Sequence, residues 1–142
     1  MLPVREETLV LGRIASGERA ERGHLHDRID IRLDGRPAWR DVLRLDGEFA
    51  STLASAAGLG GARAVTTFAY AAADAPDRLD LARDLLPSGP VLAGATLVDG
   101  VLVARLLAHD PLALRRAFTQ FWTGFRAAVA SLPPTLPRLW HV

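Results

Sequence analysis

Two Asp-Gly pairs, each placed between β-forming segments, constrain the fold of this chain more than any other feature. Asp34-Gly35 follows a segment, 25–33, in which apolar and polar residues alternate, and Asp99-Gly100 separates the apolar runs 91–98 and 101–107. Asp-Gly suits the centre of a tight hairpin turn, where both residues take a positive φ. The pattern therefore predicts two antiparallel hairpins.

The two hairpins differ in how their apolar residues are distributed. In segment 25–33 the apolar residues fall on one face of a strand, and the return strand from Ala38 to Leu45 repeats the pattern until a further Asp-Gly pair, Asp46-Gly47, ends it. This alternation predicts a half-exposed hairpin. Strands 91–98 and 101–107 are apolar on both faces, which predicts a central pair covered on both sides.

The remaining segments add two strands to this framework, and helices toward the C-terminus. Segments 7–14 and 63–70 have strand character, whereas 49–57 and 76–86 predict short helices. A longer helix should begin at Asp110, whose carboxylate can accept hydrogen bonds from the first turn, and continue until Pro133-Pro134. Its apolar stripe consists of Leu114, Phe118, Phe121, Phe125 and Val129. We expect an α+β fold that is mainly β, with antiparallel hairpins and two or three helices toward the C-terminus.

Composition limits the class of protein. A chain of 142 residues with 49% hydrophobic content predicts a single domain, residues 1–142. The absence of cysteine excludes a disulfide framework, a thiolate zinc site and a cysteine nucleophile, and it fits a reducing compartment. The apolar runs are shorter than the roughly 20 residues of a membrane helix, and the N-terminus lacks the pattern of a signal peptide. A cytoplasmic protein without a membrane partner is expected.

The charge pattern argues against nucleic acid as a partner. All 17 basic residues are arginine, yet the formal net charge is only +1. Around the first hairpin the arginines alternate along the sequence with aspartates, whereas phosphate binding uses a stripe of one sign. The members of this mixed series are Arg28, Arg32, Arg40 and Arg44 with Asp27, Asp30, Asp41 and Asp46.

No catalytic residue can be assigned from motifs. The glycine-rich segment 58–61 has no lysine and precedes a strand, so it predicts a backbone turn and not a phosphate loop. His24 and His26 share one face of a strand, as two metal ligands would, but no third ligand is identifiable and a solvated strand edge is the preferred interpretation. No serine lies in a G-x-S-x-G context. The residues of a metal site, if there is one, stay unassigned.

Six short segments, taken in order, resemble one family over nearly the whole chain. They are Leu9-Val10-Leu11-Gly12-Arg13, Asp30-Ile31-Arg32 with Asp34-Gly35, Leu43-Arg44-Leu45-Asp46-Gly47, Gly58-Leu59-Gly60-Gly61-Ala62-Arg63, and Pro137-Arg138-Leu139-Trp140. Together they are similar to the C-terminal half of UreD, also called UreH, the urease accessory protein. The resemblance marks seven residues as structural or partner-binding: Gly58, Gly60, Gly61, Arg63, Arg138, Leu139 and Trp140.

That resemblance implies a nonenzymatic scaffold. UreD proteins bind apo-urease and UreF, and through UreF the GTPase UreG, so that nickel enters the urease active site. Their strands form a β-helical stack. Nickel would be a transient cargo and no cofactor would be bound tightly, because a tight cage cannot pass its ion on. Sparse histidine and absent cysteine fit that expectation.

Members of the family are about twice this length, so the resemblance assigns the chain to the C-terminal half. A separate N-terminal half, or a second copy of the chain, would then be a partner, and an unpaired strand edge at segment 7–14 would invite that pairing. Two alternatives stay open. One is a stand-alone α+β ligand-binding module or enzyme whose pocket, between the C-terminal helix and the sheet, uses Arg63, Arg105 or Tyr70 as polar anchors. The other is a truncated remnant without function.

Overall fold

The computed structural model of the chain describes residues 4–5, 22–48, 50–133 and 135–136. These residues form two antiparallel sheets, one of four strands in the order β1-β4-β6-β5 and one of two strands, β2-β3. The elements are β1 (Val4–Arg5), β2 (Arg22–Leu33), β3 (Arg36–Glu48), α1 (Ala50–Ala54), β4 (Ala64–Ala71), α2 (Leu79–Asp84), β5 (Leu92–Val98), β6 (Val101–Ala108) and α3 (Pro111–Ala130), with a 3-10 turn at Pro76–Arg78. The predicted α+β fold, mainly β, is confirmed; the β-helical stack stays a prediction.

The main core lies between the four-stranded sheet and α3. Phe68 of β4 is fully buried, and its ring meets those of Phe121 and Phe125 edge-on, at centroid distances of 5.2 and 5.0 Å. Successive residues of a strand point to opposite faces, so Phe68 and Tyr70 reach the helix while Ala69 points away from it. The predicted apolar stripe of the helix is therefore what holds α3 on the sheet.

Helix α3 begins and ends where its sequence predicts. The Asp110 side chain accepts a hydrogen bond from the Leu112 backbone N–H at 2.9 Å, and Pro111 occupies the first helical position. At the other end Ser131 takes a left-handed conformation, with φ +50°, before the prolines. Both ends thus have a local cause, a carboxylate cap and a proline stop.

The hairpin β2–β3 covers the opposite face of the four-stranded sheet. Its inward-facing apolar residues pack on a second, smaller core of the sheet, so the fold has three layers: hairpin, sheet and helices. The hairpin residues are Ile31, Leu33, Ala38 and Trp39, and the sheet residues are Ala69, Val101 and Val103. The predicted alternation of β2 and β3 is confirmed, because every second residue of β2 is exposed.

One strand boundary was predicted wrongly. We expected Asp46-Gly47 to end the return strand, but β3 continues to Glu48. Gly47 does take a positive φ, +69°, yet it lies opposite Gly23 in the ladder, and Asp46 lies opposite His24. Pairing with β2 therefore overrides the local turn preference of the Asp-Gly pair.

The second hairpin forms around Asp99-Gly100 as predicted, but its two strands are not both central. β6 lies between β4 and β5 and is largely buried, whereas β5 pairs on one side only among the described strands. Leu92 of β5 is 74% exposed, and Val98 is also exposed. The expectation of a pair covered on both sides was therefore wrong for β5, because the hairpin β2–β3 ends over β4 and β6 and does not reach it.

The remaining sequence predictions can be compared with the elements of the structure. The short helices predicted at 49–57 and 76–86 correspond to α1 and to the 3-10 turn with α2. The strand expected at 7–14 lies outside the described residues; β1 pairs Val4 and Arg5 with Phe68 and Thr67 of β4.

Candidate interaction groove

A groove lies where the hairpin stops short of β5. It has a volume of about 420 Å³, and its walls come from the inner face of β3 on one side and from β5 and β6 on the other. The lining residues are Trp39, Asp41, Gly94, Ala95, Thr96, Val98, Val103 and Arg105. Half of these side chains are apolar, and β5 offers a strand edge beside them.

An ion pair between two layers lies in this groove. Asp41 is on the same face of β3 as Trp39 and Leu43, and its carboxylate accepts a hydrogen bond from Nη2 of Arg105 in β6. Arg105 also donates from Nε to the Thr67 hydroxyl at 3.3 Å. Because Asp41 is only 22% exposed, water screens this pair less than an open surface pair.

A second groove of about 410 Å³ lies beside the first, and Trp39 lines both. Its lining residues are Asp30, Ile31, Arg32, Pro37, Ala38, Trp39, Arg40 and Asp99. The indole of Trp39 is half-buried because it packs on the small core beneath the hairpin. Trp39 is therefore a shared wall of the two grooves.

The chemistry of the first groove suits the binding of another protein segment. The charged groups of the first groove are already paired with one another, and a strand edge with an apolar strip suits the main chain of another protein segment. Within the described ranges, no group of three or more histidine, aspartate or glutamate side chains is placed to hold a metal ion. His24 and His26 both lie on the exposed face of β2, and His24 contacts Asp46 at 3.0 Å.

The predicted glycine segment forms the turn that connects α1 to β4. Gly60 and Gly61 have φ values of +57° and +80°, and the Gly61 N–H donates to the Leu53 carbonyl at 2.8 Å. A methyl group on Gly58 would meet the Thr52 carbonyl oxygen at 2.0 Å, so the backbones approach too closely for any side chain. The interpretation as a backbone turn is confirmed.

Among the described residues, the other predicted site residues do not form a single site with this turn. Arg63 is exposed immediately before β4, and its backbone N–H donates to the Ala108 carbonyl at 3.0 Å. Arg138, Leu139 and Trp140 lie outside the described residues. Their expected role in structure or partner binding stays a prediction.

The three anchors of the alternative ligand pocket are spread over the molecule. Tyr70 points toward α3, where its ring meets Phe125 at 5.3 Å, and its hydroxyl donates to Asp74 at 2.7 Å. Arg105 faces the hairpin, on the other side of the sheet. Because aromatic rings fill the space between helix and sheet, these anchors do not line a common pocket there.

A cluster around Asp74 closes one end of the main core. Asp74 accepts hydrogen bonds from Tyr70 and, at 2.8 Å, from Nε of Arg78. The Tyr70 hydroxyl and then the Arg78 guanidinium lower the pKa of Asp74 below its ordinary value. Burial, and then the Asp74 carboxylate, raise the pKa of Tyr70.

Sequence reasoning missed the Asp41–Arg105 pair, although a signal was present. Asp41 falls in the apolar phase of β3, together with Trp39, Leu43 and Leu45, and Arg105 interrupts the apolar run of β6. A charge on the buried phase of a strand requires a partner of opposite sign. The partner's identity depends on tertiary packing.

In the part of the chain that the structure covers, no helix combines the length and the hydropathy needed to cross a membrane.

Comparison with known proteins gives one consistent family. The family model described as UreD urease accessory protein matches residues 5–141. The chain is 45% identical over 140 residues to the urease accessory protein UreD of Methylobacterium sp. (strain 4-46), covering 95% of this chain and 48% of the relative. It is 44% identical over 134 residues to the UreD of Xanthobacter autotrophicus, covering 94% of this chain and 44% of the relative.

A third relative, the UreD of Pseudomonas putida (strain W619), is 39% identical over 134 residues, which are 94% of this chain and 46% of the relative. The chain thus spans about half the length of the curated relatives it matches. The resemblance seen in its short segments is confirmed, and because the family model covers nearly every residue, the chain belongs to the UreD family of urease accessory proteins.

Proposed function

We propose that this chain is the C-terminal half of a urease accessory scaffold that binds apo-urease and UreF, and through UreF the GTPase UreG, to support nickel insertion. The observation that carries the proposal is the match to the UreD family over residues 5–141. The scaffold would act in the cytoplasm, without a catalytic step of its own. Nickel would pass as a transient cargo.

The geometry of the described residues supports a scaffold in two ways. The first groove combines a strand edge with apolar side chains and a preformed ion pair, which suits contact with another polypeptide. The few histidines on β2 are exposed and do not converge with carboxylates into a metal-holding group among these residues. In the proposed role this surface positions partners, and nickel passes without being stored.

The open side of β5 is the proposed contact for the other half of a UreD-length protein. The relatives have about as many residues again as this chain, and an open strand edge is a place where such residues could pair. Leu92 and Val98 of β5 are exposed apolar residues next to a strand edge, which an added strand would cover. The candidate occupants of this edge are an N-terminal half, which can be supplied as a separate chain, and a second copy of this chain.

The test is co-purification of this chain with UreF and apo-urease from the same organism, with and without a separately expressed N-terminal half. Size-exclusion chromatography with mass determination should show a complex containing all the supplied chains, and nickel-dependent urease activation should rise when the complex forms. Absence of a complex with well-folded partners would contradict the scaffold role. It would favour the ligand-binding alternative or a remnant.

A matched pair of variants tests the contact on β5. Leu92→Asp places a carboxylate on the exposed face of β5, and Leu112→Asp places one on another exposed position, in α3. We expect Leu92→Asp to weaken binding of the N-terminal half at least about tenfold, since burying an unpaired charge costs more than about 1.4 kcal/mol. Leu112→Asp should have no effect. Equal behaviour of the two variants would exclude β5 as the contact.

A further inference from the structure

The outward-facing side of the hairpin β2–β3, here named the arginine face, carries more positive charge than its sequence suggests. Strand pleating sorts the mixed series of arginines and aspartates, because Asp27 and Asp41 point inward while all four arginines point outward. The arginine face consists of Arg22, His24, His26, Arg28, Asp30 and Arg32 of β2, with Arg40, Val42, Arg44, Asp46 and Glu48 of β3. The arginine face thus contains five arginines and three carboxylates.

An exposed apolar residue lies in the middle of this charge. Val42 is 48% exposed, and it lies directly opposite Arg28 in the ladder. Arg40 and Arg44 are two residues away on either side, on the same face of β3. An apolar centre with a charged rim is the usual composition of a protein docking patch.

The guanidinium groups around Val42 are held in place and still have donors to offer. Nε of Arg28 and Nε of Arg40 donate to the two oxygens of Asp30, each at 2.5 Å, and Nε of Arg44 donates to Asp46. In each case the bond uses Nε, and the three arginine side chains are 50%, 57% and 69% exposed, which leaves their Nη groups as the donors for a partner. The same two arginines lower the pKa of Asp30.

We propose that the arginine face binds an acidic segment of a protein partner, with an apolar side chain of that segment on Val42 and its carboxylates on the Nη groups of Arg28, Arg40 and Arg44. Guanidinium and carboxylate groups match in geometry, and hydrogen bonds between them are charge-assisted. Because Asp30 already restrains Arg28 and Arg40, less rotamer freedom is lost on binding. This inference is independent of the proposed function, since the arginine face lies on the opposite side of the hairpin from the first groove.

A protein segment fits this face better than nucleic acid does. Asp30, Asp46 and Glu48 interrupt the arginines, which suits a partner with groups of both signs but repels a continuous phosphate chain. The aromatic residue of the hairpin, Trp39, points inward, so the arginine face has no ring on which a base could stack.

The test uses the full chain and a fluorescein-labelled peptide of sequence Glu-Asp-Leu-Asp-Glu, followed by fluorescence anisotropy. We expect saturable binding with a Kd on the order of 100 μM that weakens as salt is raised. Arg28→Gln and Arg40→Gln should each weaken binding about fivefold, through loss of a charge-assisted contact. Arg116→Gln makes the same charge change on α3 and should leave binding unchanged, and circular dichroism should show that all variants are folded.

The apolar contact is tested by a double-mutant cycle. Val42→Ser and replacement of the peptide's leucine by serine should each weaken binding about threefold, and their combination should cost no more than either alone, because both remove the same contact. Additive losses would overturn the assignment of leucine to Val42. Lack of saturable peptide binding, equal losses with Arg116→Gln, or tighter binding of a single-stranded oligonucleotide of the same charge would overturn the proposal.

Discussion

Asp41 of β3 and Arg105 of β6 are 64 positions apart in sequence, and their ion pair joins the hairpin layer to the four-stranded sheet. Both side chains project between the layers, beside Trp39 on one strand and Val103 on the other. The pair therefore adds a polar contact to the apolar packing that holds the hairpin on the sheet. It also forms the polar part of the first groove.

Removal of the Asp41 carboxylate should loosen this junction. We expect Asp41→Asn to lower the free energy of unfolding by about 1 kcal/mol, because the pair is partly buried and Arg105 loses a charge-assisted partner. The measurement is urea denaturation at low and high salt. As a control, Asp80→Asn breaks the Asp80–Arg83 pair, which is open to solvent and 3.5 Å long, and should change the free energy of unfolding much less. Equal losses would mean that the Asp41–Arg105 pair adds nothing beyond a surface pair.

Truncation of the central aromatic residue of α3 should be severe. Phe121 is fully buried and packs on Phe68, so Phe121→Ala should lower the free energy of unfolding by about 3–5 kcal/mol. Its exposed neighbour Gln120 provides the control, since Gln120→Ala removes no core contact. Denaturant titration followed by tryptophan fluorescence measures both. A loss below about 1 kcal/mol for Phe121→Ala would contradict the packing of α3 on the sheet.

The glycine turn contains two glycines with different physical requirements. At Gly58 an added methyl group would clash with the Thr52 carbonyl oxygen, so Gly58→Ala should cost about 2–3 kcal/mol through a forced backbone shift. At Gly60 there is open space and the constraint is the positive φ, so Gly60→Ala should cost about 1 kcal/mol. Thermal unfolding of both variants tests this order, and a larger loss at Gly60 would contradict it.

Stability should fall in acid partly through Asp74. The pKa of Asp74 is lower in the folded chain than its ordinary value of 3.8, so the unfolded state binds this proton more readily. The contribution of Asp74 is therefore complete above about pH 5 and is lost as the pH falls through the folded-state pKa. Asp74→Asn should lower the free energy of unfolding near neutral pH, and its difference from the unmodified chain should shrink below about pH 4.

The control for this pH dependence is Asp77→Asn, which neutralises an exposed carboxylate in the adjacent 3-10 turn. Urea denaturation of both variants at several pH values shows whether the pH dependence of stability is specific to Asp74. The difference in free energy of unfolding between Asp74→Asn and the unmodified chain is the deciding quantity. If it stays constant down to about pH 3, Asp74 does not provide the pH-dependent contribution to stability.

Much of the fold could be predicted from local pattern. The turn at Asp34-Gly35, the turn at Asp99-Gly100 and the cap at Asp110 each depend on a few adjacent residues, and each is where the sequence indicates. The glycine turn was also predictable, because the absence of lysine and the following strand argued against a phosphate loop. Family membership was indicated in the same way, by short segments in a fixed order.

Other predictions failed where the result depended on distant segments. Asp46-Gly47 has the composition of a turn but lies inside β3, because β2 continues to pair with it. Strand β5 is as apolar as a buried strand, yet the hairpin does not cover it. Arginine and aspartate alternate along the sequence, but only the pleating of the paired strands shows that Asp27 and Asp41 lie on the inner face of the hairpin and the arginines on the outer face.

The sequence by itself determined the turns at Asp34-Gly35 and Asp99-Gly100, the alternating faces of the first hairpin, the ends of α3 and the family, because side-chain alternation, capping and turn chemistry act over a few residues. Only the tertiary structure decided that Asp41 meets Arg105, that β5 stays open beside a groove, and that Val42 shares an exposed face with Arg28, Arg40 and Arg44. These features depend on the packing of segments far apart in the chain, which no local pattern specifies.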